Sequence, residues 1–496
     1  MNRHPKALAL LGFLFAIGIF FRLQIFNGFS FLFADRYDGF IEVALLEHWY
    51  AVLRGLQHWS DTNYFFNYKH NLALNDGYFL YGMIHSAFRA IGFDPLLSSE
   101  LVNLVVRSVG YWSFLAACRQ FLNLPMVWAV FAAILFTISN GAFEHMLHQQ
   151  LLMASFAPLL ALLLRRAVLA LGEEARRPFL AWGAASVLLM AVWLMTAFYM
   201  AWFSIFFGLA FTGLWLIFHP PALRLRRHGW SIAALLLLFV VADLPFFHLY
   251  LPKAAETGQH SYQEGMVFSP ALTDLVNVGD GNLFYGVPNA WIRTHIQPQQ
   301  PAFSEQMTGY PYGIFAIFLL ALLWLWRRPE HKVARILALS SVVTWGLLAH
   351  FGPFTAYSIV YGLIPGAKAV RVLSRYQLFL AGPLIAVTVF YLSRLQLKRP
   401  LLLVLCAFLV AEEINTTGIV FIDHRGEMAR LAAIGKPPAE CKSFYAANAR
   451  PGHYGPPLVD GLYSHTTDAM MVAAYYNLPT INGMATFNPP NYDLFN

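Results

Sequence analysis

Two carboxylates follow the first long apolar run of the chain, in the stretch FLFADRYDG (residues 31–39). A carboxylate held beside an apolar segment is partly desolvated, which raises its pKa and suits it to act as a general base or as a metal ligand. The alternatives are structural. Asp35 then pairs with a nearby arginine in an interfacial turn, and Asp38, which precedes a glycine, caps the N-terminus of the next helix.

Three cations close together form a second candidate group, with Lys368, Arg371 and Arg375 in the stretch GAKAVRVLSRY (residues 366–376). Arginine presents a planar fork of N–H donors that matches the oxygens of a phosphate. We therefore expect this stretch to bind an anion, which is either a phosphate-bearing substrate or a lipid headgroup.

Three further polar positions are candidates, each with a structural alternative. Asp76 lies in an Asn-Asp-Gly turn sequence, so it either lines a site or caps the following helix. His148 follows Glu144 and His145 in a short turn. The HxxH spacing lacks an identifiable third ligand, so no zinc site is predicted and His148 is a candidate substrate contact. Asp243 lies in an apolar run, where it either lines a cavity, pairs with a buried base or caps a broken helix.

The composition indicates which kind of scaffold holds these residues. The chain has 496 residues, of which 58% are hydrophobic and only 12% are charged, whereas soluble domains carry about 25% charged residues. A soluble fold of this size cannot bury so much apolar surface, which excludes a soluble enzyme, a coiled coil and a disordered chain. Many of the basic residues behind the net charge of +7 lie in short loops between apolar runs, a pattern typical of membrane topology and not of nucleic-acid binding.

Apolar runs of about 16–21 residues, long enough to cross a bilayer, predict roughly eleven transmembrane helices. The first follows Arg3 and Lys6 and is expected to be a retained signal anchor with a cytoplasmic N-terminus. The basic clusters of the short loops then fall on the cytoplasmic side. The predicted spans are 7–26, 100–119, 125–141, 150–165, 179–196, 198–218, 230–250, 309–327, 333–350, 376–393 and 400–417.

The long loops fall on the outer side of the membrane in this topology. The first, 27–99, contains two apolar segments, 40–56 and 77–92, that carry too many polar groups for lipid-facing spans and are predicted to be juxtamembrane helices. A second outer loop covers 251–308. The sequence thus predicts two parts, a transmembrane domain over 1–417 and a small extracytoplasmic C-terminal segment over 418–496.

This arrangement resembles the membrane-embedded glycosyltransferases of the GT-C class, which take a sugar from a polyprenyl-phosphate carrier. The likeness rests on an Asp shortly after the first span, in the first-loop pattern ADRY, LEHW, FFNY and ND (residues 34–76). Two further motifs add to it, Pro245 to Tyr250 at the end of the seventh span and LPTING (residues 478–483). The motifs are similar to those of poorly characterised bacterial members of the class, and the pattern of spans and loops extends the likeness over most of the chain.

The resemblance implies a role for each candidate residue. The catalytic acid of the class lies in the first outer loop, which implies that Asp35 is the general base. A late-helix arginine of the class binds the carrier phosphate, which implies this role for Arg375, with Arg371 as the second match. The remaining substrate-binding candidates, expected near the same outer cavity, are His148, Asp76 and Asp38.

The resemblance also implies partners and a location. They are a polyprenyl-phosphate sugar donor, an acceptor (a glycan, lipid or protein) and the lipid bilayer of a bacterial inner membrane, with no nucleic acid. The class contains metal-dependent and metal-independent members, so it admits a divalent metal, although the sequence assigns no ligand to one.

Two other functions stay open at this point. One is a transporter or flippase for a lipid-linked or anionic solute, with Asp243 and Arg375 along its pathway. The other is a non-catalytic accessory subunit of the same architecture.

Overall fold

The computed structural model of the chain describes residues 4–220, 228–296, 304–416, 421–447 and 457–492. Helices dominate this part of the chain, and the strands within it are very short. The helices are α1 Pro5–Phe20, α2 Arg22–Phe26, α3 Asp38–Leu53, α4 Phe79–Ala90, α5 Pro95–Phe121, α6 Met126–Ile138, α7 Asn140–Glu144, α8 Ala157–Gly172, α9 Arg176–Leu194, α10 Phe198–Phe218, α11 Gly229–Thr257, α12 Tyr262–Val267, α13 Gly286–His295, α14 Tyr312–Trp326, α15 Lys332–Leu348, α16 Tyr357–Leu363, α17 Tyr376–Leu392, α18 Arg399–Ala411, α19 His424–Ala433 and α20 Pro457–Tyr476. The strands are β1 Phe31–Phe33, β2 His350–Phe351, β3 Phe354–Thr355 and β4 Phe421–Asp423.

Seven segments of the described chain are long and apolar enough to cross a membrane. They are Pro95–Phe121, Met126–Glu144, Gln149–Gly172, Arg176–Leu194, Phe198–Phe218, Gly229–Thr257 and Leu373–Leu392. Three shorter apolar helices, α1, α14 and α18, coincide with further predicted spans, and the predicted span 333–350 forms α15. The prediction of an all-α membrane protein is confirmed, whereas the count of eleven spans stays a prediction.

The last predicted span, 400–417, is shorter in the structure because α18 ends at Ala411. The next residue, Glu412, is buried and accepts hydrogen bonds from the backbone N–H groups of Gly313 (2.9 Å) and Ile314 (2.8 Å). These donors lie in the first turn of α14 and have no partner within their own helix. The first predicted span is also interrupted, at Phe21 between α1 and α2.

Two helices of the bundle have opposite surroundings. α17 packs against α6, α14 and α15 in the centre of the bundle, and most of its side chains are buried. α11 lies at the periphery and exposes a row of apolar side chains that includes Leu236, Leu237 and Val240. In a membrane protein such a surface faces lipid, so the burial pattern separates the core of the bundle from its lipid-facing rim.

The long loops and the C-terminal segment meet at one end of the bundle, which we call the loop end. β1 in the first loop pairs in antiparallel fashion with β4 in the C-terminal segment. Residues 63–66 of the first loop exchange backbone hydrogen bonds with residues 480–482, and an isolated bridge joins Asn282 of the second loop to Asn415. The C-terminal segment therefore docks on the first loop.

The two predicted juxtamembrane segments form helices α3 and α4, which pack against each other. Glu47 of α3 lies 2.6 Å from His85 Nε2 and accepts a hydrogen bond of 2.6 Å from Arg89 Nε, both on α4. Trp49 donates to the carbonyl of Gly77 over 2.7 Å. The polar groups that argue against lipid-facing spans are thus used inside the helix pair, which supports the first loop.

Candidate active site

Asp35 lies in the turn between β1 and α3, and its side chain closes that turn. The Oδ1 atom accepts hydrogen bonds from the backbone N–H groups of Tyr37 and Gly39, each 2.9 Å long. A Cβ atom at position 39 would lie 3.1 Å from the Cα and Cβ atoms of Ala34, so glycine permits the close approach of the two arms of the turn. Burial raises the pKa of Asp35, and the two backbone N–H groups oppose that rise. A carboxyl with a raised pKa is suited to accept a proton near neutral pH.

The predicted N-cap role of Asp38 is wrong. α3 begins at Asp38, but the helix has no side-chain N-cap. The N–H of Gly39 in its first turn instead donates to Oδ1 of Asp35. Asp38 instead approaches His148, with its Oδ2 atom 4.0 Å from Nε2, and 45% of its side chain is accessible. Burial, the Asp35 carboxylate and Glu305 together raise the pKa of Asp38 to about 7, and Arg375 opposes them. Asp38 is therefore surrounded by charged groups and still reached by solvent, and we call the solvent-accessible space beside it the cleft.

Arg375 is held by a carboxylate from the second loop. Its Nε and Nη2 atoms donate to Oε2 (2.7 Å) and Oε1 (2.6 Å) of Glu305, and the hydroxyl of Ser374 donates to the Glu305 carbonyl over 2.7 Å. Burial alone would raise the pKa of Glu305, but the Arg375 guanidinium and its hydrogen bonds lower that pKa to about 2. Glu305 is therefore ionised and fills the guanidinium fork that was predicted to bind phosphate.

His148 lies between the acids of the first loop and the Arg375–Glu305 pair. Its Nε2 atom is 4.0 Å from Asp38 and 3.7 Å from Glu305 Oε1, which is too far for a direct hydrogen bond. Burial and then the Arg375 charge lower the pKa of His148 to about 3, so the imidazole is neutral. α7 ends at Glu144, so that residue and His148 do not share a helix face. The described residues include no group of three or more His, Cys, Asp or Glu side chains arranged to hold a metal ion.

Arg371 is a cation of the cluster that carries no carboxylate partner in the part of the chain that the structure describes. Its backbone N–H donates to the hydroxyl of Tyr199 over 2.8 Å, and its guanidinium carbon lies 5.4 Å from the centre of the Phe268 ring. Arg371 lowers the pKa of Asp38, so its charge acts on the same cleft. Arg371 is thus the positive group left available for an incoming anion.

Asp76 has a structural task that differs from the predicted one. α4 has no side-chain cap at its start, so the prediction that Asp76 caps the following helix is wrong. Its Oδ1 atom accepts a hydrogen bond of 2.8 Å from the backbone N–H of Phe198 at the start of α10. Burial raises the pKa of Asp76 to about 6, and the Phe198 N–H and the charge of Arg375 oppose the rise. Asp76 therefore lies at the edge of the site, where the charge of Arg375 still acts on its carboxyl.

The structure brings four of the six predicted site residues into one cluster, and the other two lie at its edge. The cluster contains Asp35, Asp38, His148 and Arg375, with Arg371 and Asp76 beside it. Glu305 connects its two charged halves and was not predicted. Its position is 70 residues before Arg375, and nothing in the spacing of acids in the second loop distinguishes it.

Glu42 is a second residue that the sequence analysis did not select. It is buried on α3 and accepts hydrogen bonds from the Tyr78 hydroxyl (2.9 Å) and from the backbone N–H of Gln149 (3.0 Å). Burial raises the pKa of Glu42 well above its usual range, the two hydrogen bonds oppose this, and Asp38 adds to it. Helical spacing was the available signal, because Glu42 follows Asp38 by four residues on one face of α3.

Asp243 lies apart from this cluster, inside α11. The helix continues through Pro245, so Asp243 does not cap a broken helix. The residue is fully buried, and neither carboxylate oxygen has a hydrogen-bond partner in the described chain. The predicted pairing with a buried base is therefore also wrong for the described residues.

Two solved structures are similar to the chain over nearly its whole length. The mycobacterial arabinofuranosyltransferase AftD matches with a TM-score of 0.56 and 14% identity, over 99% of this chain and 32% of that chain. The Archaeoglobus fulgidus oligosaccharyltransferase in its apo form matches with a TM-score of 0.51 and 11% identity, over 97% of this chain and 65% of that one. Both are glycosyltransferases of the GT-C type. The chain has a GT-C fold.

The GT-C likeness concerns the fold alone at these identities. The chain spans about a third of the length of AftD and just under two thirds of the oligosaccharyltransferase. No protein-family model matches the sequence, and no curated protein does. The predicted GT-C architecture is confirmed, and the predicted bacterial branch of the class stays a prediction.

Proposed function

We propose that this GT-C protein is a membrane glycosyltransferase that moves a sugar from a polyprenyl-phosphate donor to an acceptor at the outer face of a bacterial inner membrane. One observation carries the proposal. The first-loop acids Asp35 and Asp38 and the cations Arg371 and Arg375 meet in one cleft at the loop end of the fold. Carboxylates beside cations are what sugar transfer from a phosphate carrier needs, because a proton must be accepted and a phosphate must leave.

In this mechanism Asp35 accepts the proton of the acceptor hydroxyl while the acceptor oxygen forms a bond to the anomeric carbon of the sugar. The bond between that carbon and the phosphate oxygen breaks, and polyprenyl phosphate leaves with the electron pair. Arg371 and Arg375 stabilise the charge that develops on the phosphate. Asp35 ends the reaction protonated and releases the proton to water. Asp38 and neutral His148 line the space between the two halves and orient the acceptor.

The test compares Asp35→Asn with the wild-type chain in proteoliposomes that contain a polyprenyl-phosphate sugar. Because the first structural neighbour is named for arabinofuranose, polyprenyl-phosphate arabinofuranose is the first donor to use. We expect Asp35→Asn to lose at least about a hundredfold in transfer rate, the usual contribution of a general base, with expression unchanged. Asp280→Asn, which removes an exposed carboxylate paired with Arg293, is the matched control. Equal transfer by the Asp35 and Asp280 variants removes Asp35 from the mechanism.

Buried Asp243 supports a second candidate, a transporter or flippase for a lipid-linked or anionic solute. An ionisable group inside a membrane helix is costly and often marks a pathway, and Asp243 has no hydrogen-bond partner in the described chain. Labelling of a cysteine at position 243 from each side of the membrane discriminates the two functions. Access from both sides in turn favours transport, and access from the outer side alone favours transfer. A wild-type chain that neither transfers nor transports indicates an accessory subunit.

A further inference from the structure

The turn that carries Asp35 is attached to the C-terminal segment on both of its sides. Before Asp35, β1 pairs with β4, with Phe33 opposite Phe421. After it, the Arg36 carbonyl accepts a hydrogen bond of 2.8 Å from the hydroxyl of Thr467 on α20. The body of the bundle adds a contact from the Phe33 N–H to Glu100 Oε2 over 3.0 Å. The backbone on both sides of Asp35 is therefore fixed by residues that lie far later in the chain.

The side chain of Arg36 strengthens this attachment. Its Nη2 atom donates to Oε1 of Glu427 on α19, a carboxylate whose side chain is only 6% accessible. Glu427 also binds Arg430 Nε over 2.8 Å, and Arg430 reaches Asp468 on α20 over 3.1 Å. Four alternating charges thus join the first loop to α19 and α20. A buried carboxylate between two guanidinium groups fixes both of them, because losing either leaves the charge poorly compensated.

We propose that the C-terminal segment positions the Asp35 carboxylate and that the Arg36–Glu427 contact is the positioning contact. The inference rests on the proposed function only where it assigns a catalytic purpose to that position. A general base must be held within about half an ångström of its working geometry, and among the described residues two N–H groups of its own turn hold the Asp35 side chain. Glu427 acts through Arg36, so it is a positioning residue and not a catalytic one.

The test measures Asp35 itself and needs no donor or acceptor. The full chain in detergent micelles is treated with a water-soluble carbodiimide and glycine ethyl ester over a range of pH, and modification at Asp35 is followed by peptide mass spectrometry. Burial raises the pKa of Asp35, so wild-type labelling should have a midpoint above the usual Asp range. In Glu427→Gln the turn loosens toward water, and we expect the midpoint to fall toward the usual Asp range with faster labelling.

A matched control lies in the same segment. His424 binds Asp94 over 2.8 Å at the start of α5, so His424→Gln removes a different contact of the segment and leaves the Arg36–Glu427 contact in place. We expect it to leave the Asp35 midpoint unchanged. If Glu427→Gln does not fold, Thr467→Val replaces it, because this variant removes the hydrogen bond to the Arg36 carbonyl and leaves Glu427 in place. An unchanged midpoint in the folded variant, or an equal shift in His424→Gln, overturns the proposal.

A kinetic readout separates this inference from the proposed function. If transfer is observed, Glu427→Gln should lower kcat with little change in KM for the donor. Arg36→Lys keeps the charge that binds Glu427, so it should retain a higher kcat than Glu427→Gln does. If no transfer is observed with any donor, the proposed function fails, whereas the labelling experiment still decides whether Glu427 positions Asp35.

Discussion

The two halves of the candidate site differ in how their charges are satisfied. On the acid side, Asp35 is held by backbone N–H groups of its own turn and Asp38 lines the open cleft. On the cation side, Arg375 is already bound in bidentate fashion by Glu305. The acid half is therefore ready to accept a proton, whereas Arg375 in the cation half is neutralised within the protein. An incoming phosphate must bind beside the pair at Arg371 or displace Glu305 from Arg375.

The largest effect on stability is expected when one partner of the Arg375–Glu305 pair is removed. In Arg375→Gln the Glu305 carboxylate, whose side chain is 17% accessible, keeps its charge without its partner. Removing one partner of a buried ion pair costs about 3–5 kcal/mol of stability. Unfolding titrations in mixed micelles measure this loss.

The double variant Arg375→Gln/Glu305→Gln is the control for this prediction, because it replaces both charges by amides of similar shape. We expect it to recover most of the lost stability. If the single and the double variant are equally unstable, the pair does not neutralise the cation side, and the contrast between the two halves fails.

Arg371→Gln tests the other cation of the cation half, the one available for an incoming phosphate. Because the Arg371 guanidinium has no carboxylate partner in the described chain, its removal should leave the thermal midpoint unchanged. A charge-assisted contact to the donor phosphate is worth about 1.5 kcal/mol or more, so KM for the polyprenyl-phosphate donor should rise about tenfold.

Steady-state kinetics at varied donor concentration measure this change, and Lys368→Gln is the matched control. Lys368 belongs to the same basic stretch but is exposed, with its ammonium 5.4 Å from the Tyr361 ring centre. Equal changes in KM for both variants would mean that the stretch attracts the donor by general charge alone.

The same contrast explains what could be predicted from the sequence. Residue type and topology made Asp35 and Arg375 candidates, because each follows or precedes an apolar span and each carries a charge that the span cannot hold, and the GT-C resemblance supplied their predicted roles. The hydrogen-bond partners of Arg375 and of the turn around Asp35 were not predictable. Glu305 reaches Arg375 and Thr467 reaches Arg36 through the tertiary fold, and no local pattern marks either contact.

Capping assignments failed for a related reason. An Asp just before a helix is a local signal for an N-cap, yet neither Asp38 nor Asp76 caps the helix that follows it. The first turn of α3 is bonded by Asp35 and not by Asp38, and Asp76 caps α10, which begins more than 100 residues later. A carboxylate near several helix starts accepts hydrogen bonds from whichever free N–H groups the fold places beside it. Tertiary packing therefore decides which helix it caps, and its position in the sequence does not.

The smallest effect is expected at Asp38, where pH tests the acid half directly. Its pKa is raised from 3.8 in the unfolded chain to about 7 in the fold, so the folded state binds more protons between these values. Stability therefore falls as pH rises from about 4 to about 7. Asp38→Asn removes the titration and should stabilise the chain at pH 8 but not at pH 4. The side chain is 45% accessible, so solvent screening limits the gain to about 1 kcal/mol.

Thermal midpoints of Asp38→Asn and Asp280→Asn at both pH values check this prediction. Asp280 pairs with Arg293 near the surface, so its variant should show no gain at pH 8. A gain at Asp38 that is present at pH 4 as well would mean that the amide packs better there, independently of charge. A gain confined to high pH would mean that the fold buries the Asp38 charge, beside the Asp35 carboxylate, at a cost in stability. Such a cost is expected where a site needs a carboxyl with a raised pKa, and it sets the acid half apart from Arg375, whose charge is neutralised by Glu305.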